Sequence, residues 1–256
     1  MTIETILSPT ELPALAGRDL RGTACVVFDI LRATSTFVTA LHHGAEEIIP
    51  VSEIAEAMAL RHGRPDVLLA GERDGVRIRA ALSGGIDFDF GNSPREFTPE
   101  AVRGKTIVST TTNGTRALRA CAGAKCVLAA AFLNLGATVQ FLAREKHADV
   151  LLVCAGTGDN PAAEDIIAAG AMAELLAAYE NKRPDTSSNT FAAKTAFFVA
   201  RDRLPGALRD SQNGRRLYAN PELREDVAFC AQRDVFRLVA VMGGDGSLRR
   251  AGHPSP

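Results

Sequence analysis

Cys25-Val26-Val27-Phe28-Asp29-Ile30-Leu31-Arg32-Ala33-Thr34-Ser35-Thr36 passes from apolar to polar in the order that decides the fold. Four apolar residues end in an acid, Ile30 and Leu31 carry on to Arg32, and small hydroxylated residues open a helical pattern reaching about His43. A short apolar run bounded by a polar turn fits a strand buried on both faces of a parallel sheet. Such sheets bind ligands just outside the carboxyl ends of their strands, where Asp29 and Arg32 are expected. A carboxylate, a guanidinium and the hydroxyls of Thr34, Ser35 and Thr36 at a helix start suit a divalent cation together with an oxyanion. The plainer reading buries Asp29, pairs it with Arg32 and makes it the helix cap. This stretch alone leaves both open.

Outward from there, the pattern repeats. Thr2–Leu7 reads as an entry strand, and Glu47–Val51 as a strand whose Pro50 suits an end position. A helix from Ser52 to about His62 precedes the buried strand Val67–Ala70, which delivers Gly71 and Glu72 to the same edge as Asp29. Residues 73–104 lose all period and read as a loop packed over that edge by Phe88, Phe90 and Phe97, with a turn at Gly91-Asn92-Ser93-Pro94. Strand Thr106–Thr110 then leads through Thr111-Thr112-Asn113-Gly114-Thr115 into a helix reaching Ala122. Hydroxyls and free N–H groups at a helix start are a ready phosphate site, although each could equally serve its own turn.

Further units follow: strand Lys125–Ala131, helix Asn134–Lys146, strand Val150–Ala155, and a helix from Ala163 to Tyr179 that opens on Glu164-Asp165. Acids in a first turn ordinarily complement the helix dipole, but here they follow a third strand end, with Asp159 close by. Asn181–Asn189 reads as a linker. Helices at Phe191–Arg203 and Pro221–Arg233, a turn at Ser211–Leu217 and a final strand Phe236–Met242 come after it, and Gly243–Pro256 reads as a disordered tail. The fold class is α/β: a mostly parallel sheet flanked by helices, built from iterated βα units, with a C-terminal helical segment and final strand. Residues 1–180 form the phosphate- and metal-binding region, residues 190–242 complete the site, and 243–256 are the tail.

Composition narrows the function. The formal net charge of −1 over 256 residues argues against nucleic acid and membrane partners, so any anion site must be local. No apolar run approaches ~20 residues and the N-terminus lacks a basic-then-apolar leader, which is the pattern of a cytoplasmic protein. The five cysteines have no metal-site spacing and read as reduced thiols, Cys154 as a core residue. His42, His43 and His62 sit at helix ends, where solvated or dipole-stabilised roles outweigh metal binding.

Four stretches taken together resemble the 2-phosphosulfolactate phosphatase family: Phe28–Thr36, Gly91–Pro94, Thr111–Thr115, and Cys154-Ala155-Gly156 leading to Glu164-Asp165. Ser211–Leu217, Asp226 and the final strand look like that family's ending, so the resemblance spans about residues 24–242. It implies magnesium-dependent hydrolysis of 2-phosphosulfolactate to sulfolactate and phosphate, a step toward coenzyme M in methanogens. The partner it implies is a small anionic phosphorylated substrate, and a homodimer is kept as an expectation for its assembly.

The residues suit that chemistry in their own right. Magnesium prefers one or two carboxylates with waters and substrate oxygens, and Asp29, Glu72 and Asp165 are the candidates, with Asp159 and Glu164 in reserve. Asp29 and Arg32 are the candidate catalytic pair. Thr34, Ser35, Asn92, Ser93, Thr111, Thr112, Asn113, Gly114 and Thr115 are candidate substrate contacts. Arg73, Arg77, Arg215 and Arg216 are available for the remaining anions of the substrate, Arg215 being preferred. A haloacid-dehalogenase-type phosphatase would carry Asp-x-Asp-x-Thr, and Leu31 stands where its second acid belongs. Other readings are a phosphatase for another phosphorylated hydroxy acid and a phosphate- or nucleotide-sensing module. The missing Gly-x-Gly-x-x-Gly weighs against a dinucleotide.

Overall fold

The computed structural model describes residues 1–180 and 184–252. In chain order, β1 (Thr2–Ile6), β2 (Thr23–Phe28), α1 (Ala33–His42), β3 (Glu47–Val51), α2 (Ile54–Gly63), β4 (Leu68–Arg73) and β5 (Val76–Arg77) come first. The single turns α3 (Ala80–Ser83) and α4 (Pro99–Val102) precede β6 (Thr106–Thr110), α5 (Gly114–Ala120), β7 (Cys126–Ala130), α6 (Leu135–Arg144), β8 (Asp149–Cys154) and α7 (Ala163–Glu180). Then follow β9 (Asp185–Thr186), α8 (Ser188–Ala200), α9 (Leu204–Asp210), α10 (Gln212–Ala219), α11 (Arg224–Cys230), β10 (Ala240–Met242) and β11 (Leu248–Arg250).

Among the described residues the strands form one sheet in the order β5-β4-β6-β3-β11-β10-β7-β2-β8-β1-β9. β4, β6 and β3 make one parallel block; β7, β2, β8, β1 and β9 make another. The antiparallel hairpin β10–β11 joins the two, pairing with β7 on one side and β3 on the other. β2 is buried along its whole length, as its unbroken apolar run requires. α1 is buried from Ala33 through Leu41 and packs against β3, β7, β10, β11 and α5. The sheet therefore curls around α1, and the curl brings the carboxyl ends of β4 and β6 over to those of β2 and β8. Pro50 is tolerated in β3 because the pairing with β11 reaches only Ile48.

Three expectations need correction. Gly243–Pro256 is not a disordered tail: Leu248 is fully buried, Arg249 pairs with Glu47 and Asp245, and β11 lies mid-sheet, while residues 253–256 fall outside the described residues. Within Asn181–Asn189, residues 181–183 also fall outside the description, but Asp185–Thr186 pairs with β1 and Ser188 opens α8, so this part is sheet edge and helix start. Residues 73–104 do fold over the edge with Phe88 and Phe97 buried, yet they begin with a hairpin, not an irregular loop. No helix among the described residues is long and apolar enough to cross a membrane.

Candidate active site

A cavity of about 260 Å³ opens at the carboxyl edge of the curled sheet. Its lining includes Asp29 and Arg32 after β2, Glu72 on β4, Asp74 and Gly75 at the β4–β5 turn, and Thr112 and Asn113 after β6. Gly156–Gly158 after β8 and Asn213 and Arg216 of α10 close it.

Asp29 does two jobs at once. Its Oδ1 accepts the Ala33 N–H (3.0 Å) and its carbonyl accepts the Thr34 N–H (2.9 Å), so it caps α1. Oδ2 lies over Gly114, where a Cβ would come within 2.7 Å of it, so only glycine lets α5 approach this closely. Burial, then the nearby carboxylates of Glu72 and Glu164, push Asp29 up to about 7, against the opposing pull of the Ala33 N–H and of Arg32. The plainer reading is thus right about the cap and wrong about the partner. Arg32 Nη1 donates to Asp226 Oδ2 (2.7 Å) on α11 and Nη2 to the Gly75 carbonyl (2.7 Å). Asp226 also accepts from Ser93 Oγ (2.7 Å), so a fully buried carboxylate holds the plane of a buried guanidinium.

Several predicted contacts serve the fold instead. Thr34 Oγ1 donates to the Asp29 carbonyl and Ser35 Oγ to that of Ile30, both hydroxyls being wholly buried. At the start of α1, Asp29 and these side chains are thus engaged with the backbone of their own turn. Ser93 is spent on Asp226. Thr111 and Thr115 cap α5 between themselves: Thr115 N donates to Thr111 Oγ1 and Thr115 Oγ1 to the Thr111 carbonyl. Asn92, Thr112 and Asn113 do reach the cavity wall.

Thr112 donates to Glu72 Oε1 through both its N–H (2.9 Å) and Oγ1 (3.0 Å), and the Gly75 N–H donates to Glu72 Oε2 (2.7 Å). Asn113 clips the β8 loop, donating to the Ala155 and Gly158 carbonyls and accepting the Gly158 N–H. Asp165 is not on the wall. Its Oδ1 accepts the Ile30 N–H (2.8 Å) and its Oδ2 the Gly156 N–H (3.0 Å), which staples the ends of β2 and β8 together. Burial and its acidic neighbours raise its pKa well above the carboxylate range. Glu164 is the acid left incomplete: Oε1 accepts from Asn213 (2.7 Å), while the buried Oε2 has no partner.

Among the described residues no three His, Cys, Asp or Glu side chains gather as a metal-holding set. Arg215 is exposed, bonds the Asp210 carbonyl and lies off the cavity, whereas its neighbour Arg216 lines it. Asp74, Gly75 and Asn213 were missed altogether. Asp74-Gly75 carried a readable signal: an Asp-Gly pair between residues suited to strands marks a tight hairpin, and both φ angles are positive (55° and 77°). Cys154 is fully buried and its thiol is pushed up by that burial, as a core residue should be.

An α/β chain that gathers acids, a braced guanidinium and amide groups at the carboxyl edge of a mostly parallel sheet is of the class that handles small anions there. The particular kinship is clear in the sequence. The chain belongs to the 2-phosphosulpholactate phosphatase family, whose model matches residues 10–244. It is 39% identical to a probable 2-phosphosulfolactate phosphatase of Caldanaerobacter subterraneus subsp. tengcongensis, covering 87% of this chain and 88% of that one. Proteins of the same description from a Synechococcus species (40%, 95% of each chain) and from Thermotoga maritima (38%, 85% and 88%) align comparably.

Proposed function

We propose that this protein hydrolyses 2-phosphosulfolactate to sulfolactate and phosphate in the cytoplasm, with magnesium as its metal. The observation that carries the reading is Arg32, a guanidinium 3% exposed that is braced by Asp226 and Gly75 and lies on one cavity wall with Asp29. Phosphoryl transfer depends mostly on positioning and on charge neutralisation. The N–H groups of Arg32 not engaged by Asp226 or Gly75 serve phosphoryl oxygens, and Asn92 and Asn113 bound the space beside them.

The donor set fits a divalent cation. Asp29 Oδ2 and the buried Glu164 Oε2 accept no hydrogen bond among the described residues, and burial beside other carboxylates disfavours the charge of Asp29. Asp29 and Glu72, which both line the cavity, would hold the ion, whereas Asp165 does not reach its wall. When bound, magnesium supplies charge neutralisation at the phosphoryl oxygens. Water attacks phosphorus, the ester P–O bond breaks, and the sulfolactate oxygen leaves with a proton from solvent. Leu31 on the wall offers no acid for that proton, so attack by Asp29 itself is the less suitable route.

Phosphate release from 2-phosphosulfolactate, measured with magnesium and after exhaustive chelation, tests both parts. No release from it overturns the substrate, and full activity after chelation overturns the metal. Arg32→Lys keeps the charge but loses the fork, and should lower kcat/KM by a factor of ~10 or more.

A further inference from the structure

The geometry points to Arg216 as the residue that selects the substrate's sulfonate. This rests on the phosphatase reading above and assigns the end of the substrate that does not react. A phosphorylated sulfo-acid brings more negative charge than Arg32 can meet, so the cavity needs another cation. Four arginines were available by sequence, and the structure disposes of three. Arg73 donates to the Glu72 carbonyl (2.7 Å) and to Thr110 Oγ1 (3.1 Å), Arg77 pairs with Glu96, and Arg215 bonds the Asp210 carbonyl away from the cavity. Arg216 lines the cavity, and among the described residues its side chain makes neither a hydrogen bond nor an ion pair, even with Asp74 on the same wall.

Its position is set by the tip of the β4–β5 hairpin. A Cβ placed on Gly75 would lie 3.3 Å from Arg216 Nη2, and Gly75 has a φ of +77°. The guanidinium thus rests against bare backbone. The carbonyl of the same glycine accepts Arg32 Nη2 at 2.7 Å. Two cations therefore flank one residue, the inner one buried and braced, the outer one exposed and uncommitted. A substrate whose phosphate meets the inner guanidinium presents its next charges toward the outer one. In 2-phosphosulfolactate the carboxylate sits on the carbon that bears the phosphate oxygen. The sulfonate extends one methylene further and offers oxygens for a bidentate fork. The more distant anion meets the more distant cation.

The test compares wild type, Arg216→Ala and Arg216→Lys on three phosphate esters. These are 2-phosphosulfolactate, 2-phospholactate (a methyl replaces the sulfomethyl group) and 2-phosphooxyethanesulfonate (no carboxylate). The alanine variant should lose on the order of 10- to 100-fold in kcat/KM on both sulfonates, mostly through KM. Lysine should recover part of the loss. On 2-phospholactate the variants and wild type should differ far less, so discrimination between the two lactate esters collapses. An equal loss on all three esters overturns the inference and makes Arg216 a phosphate contact. A loss on the two carboxylates that spares 2-phosphooxyethanesulfonate overturns it in favour of the carboxylate. Wild type active on 2-phosphosulfolactate with Arg216→Ala unchanged removes the inference alone. Wild type inactive on all three removes the phosphatase reading, and the inference with it.

Discussion

The turns after β2 and β6 look alike in sequence, each a run of small hydroxylated residues entering a helix, and the structure uses them in opposite ways. In the first, Thr34 and Ser35 turn back on the carbonyls of Asp29 and Ile30, and every one of these groups is buried. In the second, Thr111 and Thr115 satisfy their own turn, while Thr112 and Asn113 reach out to Glu72 and to the β8 loop. The difference lies in what already occupies each turn. Asp29 supplies the first with its cap, so the hydroxyls have only the backbone to serve. The second has no acid of its own and borrows Glu72 from β4. A hydroxyl-rich helix start thus marks a site without saying which of its residues face the ligand.

Four substitutions and one titration sharpen that contrast. The first turn depends most on the buried Arg32–Asp226 pair, and Asp226→Ala leaves a guanidinium unpaired in the interior. It should destabilise the protein by about 3–5 kcal/mol, read as a shift in denaturant midpoint at constant m. Asp29→Asn keeps shape and the cap, so circular dichroism should be unchanged while kcat falls by a factor of ~100 or more, the scale of one lost electrostatic contact in a desolvated site. Normal turnover in that variant removes Asp29 from the chemistry.

The hydroxyls separate next. Thr34→Val should cost about 1–3 kcal/mol of stability, because the Asp29 N–H and carbonyl both lose a buried partner. Thr112→Val leaves the Glu72 carboxylate short of one hydrogen bond and should lower kcat/KM several-fold with little change in Tm. Equal effects of the two on Tm would erase the contrast.

The last effect is one of pH. Asp29 is raised to about 7 in the fold, against an unfolded carboxylate near its ordinary value of 3.8. Across that window the native state holds a proton the unfolded chain has released, so stability is lost as pH rises from about 4 to 7. Metal-free protein should melt a few degrees lower at pH 8 than at pH 5, on the scale of about 2–4 °C per kcal/mol. Asp29→Asn should flatten that slope. Magnesium should raise Tm more at pH 8 than at pH 5, since it binds the ionised carboxylates.

Strand ends and turn chemistry single out Asp29, Arg32, Glu72, Asn92, Thr112 and Asn113 in the sequence, and all six line the cavity. What was misread falls into two kinds. The hairpins at Asp74-Gly75 and Asp245-Gly246 carried Asp-Gly turn signals that a search for helical period passes over, and with them went β5, β11 and the glycine that bridges two arginines. No such signal exists for Asp165 and Ser93, because Ile30 and Asp226, the groups that engage them, lie 135 and 133 positions away in the chain.

By itself the sequence determined the βα rhythm, the edge of the sheet that carries the site, and the family kinship. Each of these depends on local pattern: a buried strand needs an apolar run, and a turn needs residues that tolerate it. Only the tertiary structure decided which cations remain uncommitted. Arg32 finds Asp226 across 194 positions and Ile30 finds Asp165 across 135, and no periodicity records such pairings. A polar side chain is free for a ligand only when nothing nearer satisfies it, and nearness in space is set by the curl of the sheet around α1.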